Sequence, residues 1–544
     1  GTVRTISPIT QSPTAANVFP GQDITVTSEI SGSFSSGQSI YLRYSNDNWS
    51  TSTITEMSGS GTTYTGTIPA SVNIASASIK YYIFTSGDGL TINTSKADWY
   101  TINLDNNSGS NYSYSVATNW ATNQDGNWTD ASTWTATLAP SLTQDANMTI
   151  NHDINASSIT VQSGKTLTIS KGQSLTLSGN LTNSGTVTLN SDSNEYSSLI
   201  VQGTSSGNIK YSRYVNATDG GDEGWDLIGS PVDGQGISGF ATTNTSGTPT
   251  LATNGSGQYA IGVYDNSVAS GHSNEWINYT SSTVGSTEFT PGKGYSMATD
   301  SGATLAFTGT VDVDDTKTIS IEDHTDGSGT VWNLIANPYP SFITIGPNTT
   351  TDTFLEVNDD VIDDTYTGLY GYDAETSNDA RIYDPYNNTT NAKMAPGQGF
   401  MVAARSNTSA NITFKEEMQT TSTGDDFISG DALNDSYEVL LKLYHEDNIK
   451  GQTKLYFKNI LTLGLDKGWD AGAFNQNAAI MTRLVEEDEG HGLAINAMST
   501  DHMDDVVIPL VINQDAGQEF RVNLHTSTIG EVNIYLEDTE LSTL

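Results

Sequence analysis

The chain has 544 residues, 35% of them hydrophobic, with 62 acidic against 21 basic residues, a formal net charge of −41 and no cysteine. Such a charge repels phosphate backbones and anionic headgroups, so nucleic-acid binding and membrane-surface binding are not expected, and the missing cysteines exclude disulfides, thiolate metal sites and cysteine nucleophiles. No apolar run approaches the ~18–20 residues that span a bilayer, which also speaks against membrane insertion.

Thr, Ser, Asn and Gly fill the sequence where Lys and Glu would stand in a helical protein. That palette belongs to exposed strands and turns, and 25 Tyr, 14 Phe and 9 Trp argue against disorder. The expected fold is all-β: tandem β-sandwich modules, a short Thr-rich solenoid-like segment and a duplicated β domain. Thr2-Val3-Arg4-Thr5-Ile6 lacks the basic start and apolar core of a signal peptide, so an exported chain is expected to be a mature or trimmed one.

Residues 1–105 read as an immunoglobulin- or fibronectin-like sandwich. Asp23–Thr27, Ile40–Tyr44, Ile79–Phe84 and Trp99–Ile102 are strand-like, with Gly and Ser turns between them. Asp105–Asn111 reads as a linker. Residues 112–210 carry short Thr-rich strands: Ile159–Val161, Leu167–Ile169, Leu175–Leu177, Leu181 and Val187–Leu189, punctuated by Gly164, Gly172, Gly179 and Gly185. Each rung is too short to bury a core alone, so stacking is expected, as a small solenoid or a tightly wound sandwich, with the regular spacing favouring the solenoid.

Residues 211–318 and 319–430 are two versions of one plan. Gly224-Trp225-Asp226-Leu227-Ile228, Tyr264-Asp265, Pro291-Gly292-Lys293-Gly294-Tyr295 and Leu305-Ala306-Phe307 recur as Val331-Trp332-Asn333-Leu334-Ile335, Tyr372-Asp373, Pro396-Gly397-Gln398-Gly399-Phe400 and Ile412-Thr413-Phe414, at offsets of 105 to 108. Four landmarks in one order make an internal repeat. Whether the repeats form two domains or two halves of one stays open at this level. Residues 431–544 read as a further sandwich, with strands at Tyr437–Leu443, Lys454–Lys458, Val506–Ile512, Phe520–Leu524 and Val532–Leu536. No amphipathic helix longer than three turns is expected.

The catalytic motifs fail: there is no H-E-x-x-H, no G-x-S-x-G and no phosphate loop, since Gly164-Lys165-Thr166 lacks the upstream glycine. The seven histidines (His152, His272, His324, His445, His491, His502 and His525) stand singly, and with 62 acids no carboxylate pair is informative by itself. Calcium is the one cofactor with support. Asp312, Asp314 and Asp315, then Asp359, Asp360, Asp363 and Asp364, and also Asp219 with Asp222 and Glu223, put several oxygen ligands within one loop's reach. Solvated acidic loops are the alternative. For glycan binding the candidates are Trp49, Tyr81 and Tyr82, with Tyr64, as an aromatic platform on the first sandwich. Tyr81 and Tyr82 must point to opposite sheet faces, so at least one belongs to the core.

Gly224–Pro231, Trp332–Ser341, Pro396–Phe400, Gly468-Trp469-Asp470-Ala471-Gly472-Ala473-Phe474 and the ending Ile534–Asp538 resemble the C-terminal halves of secreted and cell-surface β-rich proteins of Bacteroidota exported by the type IX secretion system, over roughly Asn119 to Leu544. The resemblance implies a secreted, extracellular or surface-attached location and carries no catalytic set. In such proteins these modules usually precede a small sorting domain, which would be expected to begin about where this sequence stops, so either that domain is cleaved after export or the sequence is a fragment. The expected function is therefore a non-enzymatic structural or adhesive protein, a modular β rod at the bacterial surface, with self-association through exposed Thr-rich edges or cell-surface and glycan contact as its partnerships. The alternative is an accessory, glycan-binding tail of a larger secreted hydrolase.

Overall fold

A computed structural model describes residues 3–34, 37–87, 94–136, 139–144, 146–218, 224–245, 250–254, 256–268, 275–346, 352–372, 383–389, 391–406, 409–422, 437–527 and 533–538. Nearly all its regular structure is strand, as the composition implies. The chain divides into two units, Gly1–Ser170 with Leu177–Val187, and Lys171–Thr176 with Thr188–Leu544.

In the first unit, Ile24–Ile30 lies between Ile6–Ser12 and Thr63–Ile68 in one antiparallel sheet, and Ser39–Ser45 pairs with Thr53–Glu56 and Ser78–Ser86 in another. Alternation puts Ile24, Val26, Ile30, Ile40, Leu42, Ile79, Tyr81 and Ile83 into the core between them. Two sequence expectations are corrected here. Asp105–Asn111 is a turn inside the sandwich and not a linker, because Tyr112–Ser115 pairs back onto Ser78–Tyr81 and buries Tyr114. Trp99 and Tyr100 end a 3-10 helix, Thr94–Tyr100, and the strand begins only at Thr101. Ser86 Oγ donates to the Ala97 and Tyr100 carbonyls, which fastens that helix over the sheet.

The Thr-rich segment of this unit coils as a parallel solenoid. Asn119–Ala121, Asn147–Ile150 and Thr166–Ile169 stack in parallel register, and so do Thr143–Gln144, Ile159–Val161 and Leu181–Asn183. Trp120, Met148 and Leu167 line up inside, while Thr149 and Thr168 neighbour each other outside. Buried Trp128 and Trp134 pack edge to face at 4.7 Å beside Trp120, with Trp134 Nε1 donating to the Trp128 carbonyl at 2.7 Å. These tryptophans close the apolar core at the first rung, the role of a terminal cap in a repeat stack.

In the second unit the two repeats have the same sheet topology. Asp226–Ile228, Tyr295–Met297, Gln258–Tyr264 and Trp276–Thr280 are neighbours in that order, as are Trp332–Ala336, Gly399–Ala403, Leu369–Tyr372 and Tyr383–Tyr386. Register agrees residue by residue: Ile228 faces Tyr295 as Ile335 faces Phe400, and Tyr264 faces Trp276 as Tyr372 faces Tyr383. A helix in each repeat, Ile237–Thr245 and Phe354–Asn358, carries a buried asparagine in its last turn, Asn244 and Asn358. Asn244 accepts from Ala306 N at 2.9 Å and donates to the Ala306 carbonyl; Asn358 accepts from Thr413 N at 2.7 Å and donates to the Thr413 carbonyl. Asn358→Ala should cost about 1–3 kcal/mol, since it strands both groups of the Thr413 main chain, and Asn244→Ala the same. Urea unfolding monitored by tryptophan fluorescence measures both.

The repeats join by reciprocal contacts across a pseudo-two-fold axis. Gly229 N donates to the Gly397 carbonyl at 2.9 Å, and its counterpart Ala336 N donates to the Gly292 carbonyl at 2.8 Å. Ile228 bridges Gln398 as Ile335 bridges Lys293. They are two halves of one body, and the Pro-Gly-x-Gly turns meet at the junction. Gly292 and Gly397 have φ of +78° and +65°, which glycine adopts without strain.

The last segment forms one seven-stranded mixed sheet that includes Tyr437–His445, Asn448–Phe457, Leu493–Met498 and Arg521–Ser527. Its Tyr456, Ile495 and Ala497 pack on Trp332, Tyr370 and Met401, so the sheet of the second repeat supplies the other layer. The strand expected over Val506–Ile512 is confined to Leu510–Ile512, after Pro509, which has no N–H for a ladder. Of the expected strand Val532–Leu536, Val532 lies outside the described residues and 533–536 are not in a strand.

Candidate functional site

On the first sandwich, Tyr82 and Phe84 project from Ser78–Ser86 away from the core and join Tyr41, Ile54 and Ala97 in a small aromatic patch. Asp47 builds the turn that delivers Trp49 to it: its carboxylate accepts from Thr51 N and Thr51 Oγ1, and hydrogen bonds from Thr51 hold its carboxyl below the ordinary aspartate range. Trp49, at φ +72°, then lies 5.3 Å from the Tyr82 ring. Arg43 sits 5.9 Å from both rings, donates to Tyr82 Oη at 3.0 Å and pairs with Asp98 at 2.8 Å. Trp99 stands beside the patch, 70% exposed, with Lys96 over its ring.

Of the aromatic candidates, the structure thus brings Trp49 and Tyr82 together and sends Tyr81 into the core, where its hydroxyl donates to Gln11 Oε1. Tyr64 is on the other sheet, edge-on to Phe34. Arg43, Asp98 and Trp99 were not among the sequence candidates. The Asp98 partnership depends on the 3-10 helix, for which the sequence gives no apolar periodicity.

The acidic candidates separate into two groups facing cations. Asp312, almost fully buried, contacts Lys317 Nζ at 2.5 Å, and Asp233 contacts the same nitrogen at 2.9 Å. Burial opposes the Lys317 charge, but hydrogen bonds to Asp312 and Asp233 outweigh it and raise its pKa. Asp314 and Asp315 are exposed. Asp364 takes Arg405 at 2.7 Å and Lys467 at 2.9 Å, Asp359 takes Lys467 at 3.1 Å, Asp363 Oδ1 accepts from Thr365 N, and Asp360 is exposed. Asp219, Asp222, Glu223 and His272 lie outside the described residues. Among the described residues no three His, Cys, Asp or Glu side chains are grouped to hold a metal ion. With lysine and arginine already at the best-placed acids, EDTA should leave the thermal midpoint unchanged, as read by calorimetry with and without added Ca²⁺.

The motif Gly468–Phe474 docks the last sheet on the second repeat. Trp469 stacks on Tyr456, Tyr370 Oη donates to the Gly472 carbonyl at 2.8 Å, and Phe474 lies 4.3 Å from Trp332 and 4.0 Å from Tyr383. Asp470, fully buried, accepts from Ala497 N at 2.7 Å and Asp466 N at 2.5 Å. Burial pushes its carboxyl up to about 7. A perturbed acid of this kind invites a catalytic reading, but both its oxygens are occupied by main-chain donors, which is a structural role.

Residues 119–544 match a family described as a domain of unknown function, DUF8693. The chain belongs to this family. No curated protein and no solved structure matches the chain. The DUF8693 segment opens at the first solenoid rung and takes in both repeats and the last sheet, whereas the Trp49–Tyr82 patch precedes it.

Proposed function

We propose that this DUF8693 protein is a non-enzymatic extracellular protein of the bacterial surface with a structural and adhesive role. One observation carries the reading: the most distinctive motifs of the chain work on the protein itself. Both Pro-Gly-x-Gly turns join the repeats, and Gly468–Phe474 fastens the last sheet to the second repeat through Trp332 and Tyr370. Asp470 and Asp312, the most deeply buried acids among the described residues, serve main-chain donors and a lysine. A chain organised this way suits holding and contact. Thr-rich strands and acidic solubility fit an exterior location, and among the described residues no helix is long and apolar enough to cross a membrane.

The half-buried Trp49–Tyr82 pair of the first sandwich favours a second reading, a glycan-binding accessory region of a secreted hydrolase. Antibody labelling of intact, unpermeabilised cells that express the chain tests the first reading, together with negative-stain microscopy of the purified protein. Surface label and ordered assemblies or cell-attached material are expected. Signal only after permeabilisation, or turnover of a substrate abolished by one side-chain change, would sink it.

A further inference from the structure

The two repeats have one sheet plan but surround their equivalent tryptophans differently. In the second repeat, Trp332 is 8% exposed, buried by Tyr366, Tyr370 and Phe474 at 5.3, 4.8 and 4.3 Å. In the first repeat the register puts Gly262 where Tyr370 stands, since Gly262 faces Ser296 as Tyr370 faces Met401. Trp225, the counterpart of Trp332, is half-buried and lines a cleft of about 420 Å³.

The chemistry of that cleft is specific. Two aromatic rings, Trp225 and Tyr259, share its wall with three carboxamides, Asn254, Gln258 and Asn278, and one carboxylate, Asp300. A carboxamide offers both a donor and an acceptor, which suits hydroxyl groups, and an aromatic face suits the C–H side of a sugar ring. Among the described residues neither lysine nor arginine lines the cleft, and the chain carries a net charge of −41, so phosphate and carboxylate ligands are disfavoured. The polar groups are also set in advance. Asn254 Oδ1 accepts from Ser256 N and Gln258 N, and Asn254 Nδ2 donates to Gln258 Oε1 at 2.8 Å, which leaves the Gln258 NH₂ to donate elsewhere. Asp300 is held by Thr250 Oγ1 at 2.5 Å. Fixed groups of this kind lose little rotamer freedom on binding.

We infer that the cleft of the first repeat binds a neutral saccharide, stacked on Trp225 and hydrogen-bonded by the Gln258 and Asn278 carboxamides. The site belongs to the family segment and is separate from the Trp49–Tyr82 patch. It rests on the cleft alone, so a surface scaffold without this ligand would remain a surface scaffold.

Isothermal titration of the full chain with cellopentaose, xylopentaose, mannopentaose, chitopentaose and maltopentaose tests the inference. At least one should bind, and Trp225→Ala should weaken it by about tenfold or more through loss of stacking area. Gln258→Tyr replaces a carboxamide of the cleft wall by a bulky ring and should abolish binding; it decides alone if Trp225→Ala melts early. Trp49→Ala should leave the affinity unchanged. Absence of binding to all five sugars, affinity that survives Gln258→Tyr, or loss on Trp49→Ala instead would overturn the assignment.

Discussion

Gly397→Val should destabilise the duplicated body by roughly 3 kcal/mol or more, combining left-handed backbone strain with overpacking. At φ +65° a branched side chain is strained, and its Cβ would stand 2.7 Å from the Gly229 carbonyl oxygen. That oxygen belongs to the main chain whose N–H donates to Gly397, so it cannot withdraw without breaking the junction. Gly292, the symmetry counterpart, has φ +78° but looser surroundings, with the ring of Phe414 at 3.3 Å and Ile319 at 3.4 Å, both side chains. Gly292→Ala should therefore be milder than Gly397→Ala. Gly236→Ala meets nothing within 4 Å and serves as the control. Chemical denaturation of the four variants gives the order directly.

Asp470→Ala is the second large effect. It removes the acceptor of the buried Ala497 N–H, which costs about 1–3 kcal/mol when stranded, and of the part-buried Asp466 N–H, and the last sheet should loosen from the second repeat. The pH dependence has a definite sign. Burial pushes the folded carboxyl up to about 7, above the ordinary aspartate value of 3.8, so between those values the native state binds the extra proton. Stability from this group is fully present below the unfolded pKa and is lost as pH rises through the folded one, with a slope of about 1.4 kcal/mol per pH unit at most. Asp470→Asn cannot titrate. The gap in melting temperature between wild type and Asp470→Asn should narrow from pH 5 to pH 8, and a gap that widens would contradict the account.

Much of this architecture is legible in the sequence because strands announce themselves at short range. The Thr-rich rungs alternate, and Trp332–Ile335 or Tyr437–Leu443 need only their own neighbours to be recognised. The repeat is legible because its landmarks keep one spacing. The asparagine clamps escaped because the helices carrying Asn244 and Asn358 are offset differently from those landmarks, and a lone asparagine in a Thr- and Asn-rich chain gives no signal. Arg213, fully buried with its guanidinium over Tyr196, could not be foreseen either, since its register partner in the second repeat is Ile319.

The candidate sites were less legible for the same reason of range. Asp364 looks like a cation ligand until Arg405 and Lys467 arrive from distant segments, whereas the Lys317 that meets Asp312 is only five residues on. The difference between Trp225 and Trp332 is invisible locally, because what buries Trp332 includes Phe474, more than a hundred residues downstream. Tyr81 and Tyr82 were separable in advance only as alternating neighbours; the sandwich itself decided which one entered the core.

Hydrogen exchange of the intact chain, followed by mass spectrometry under native conditions, tests most directly whether the repeated motifs bind the protein to itself. Amides at Gly229, Gly294 and Ala336 should share the protection of both repeat sheets and open with them in one cooperative step. Independent opening, with one repeat exchanging fully while the other stays protected, would contradict a single duplicated body and the structural role built on it.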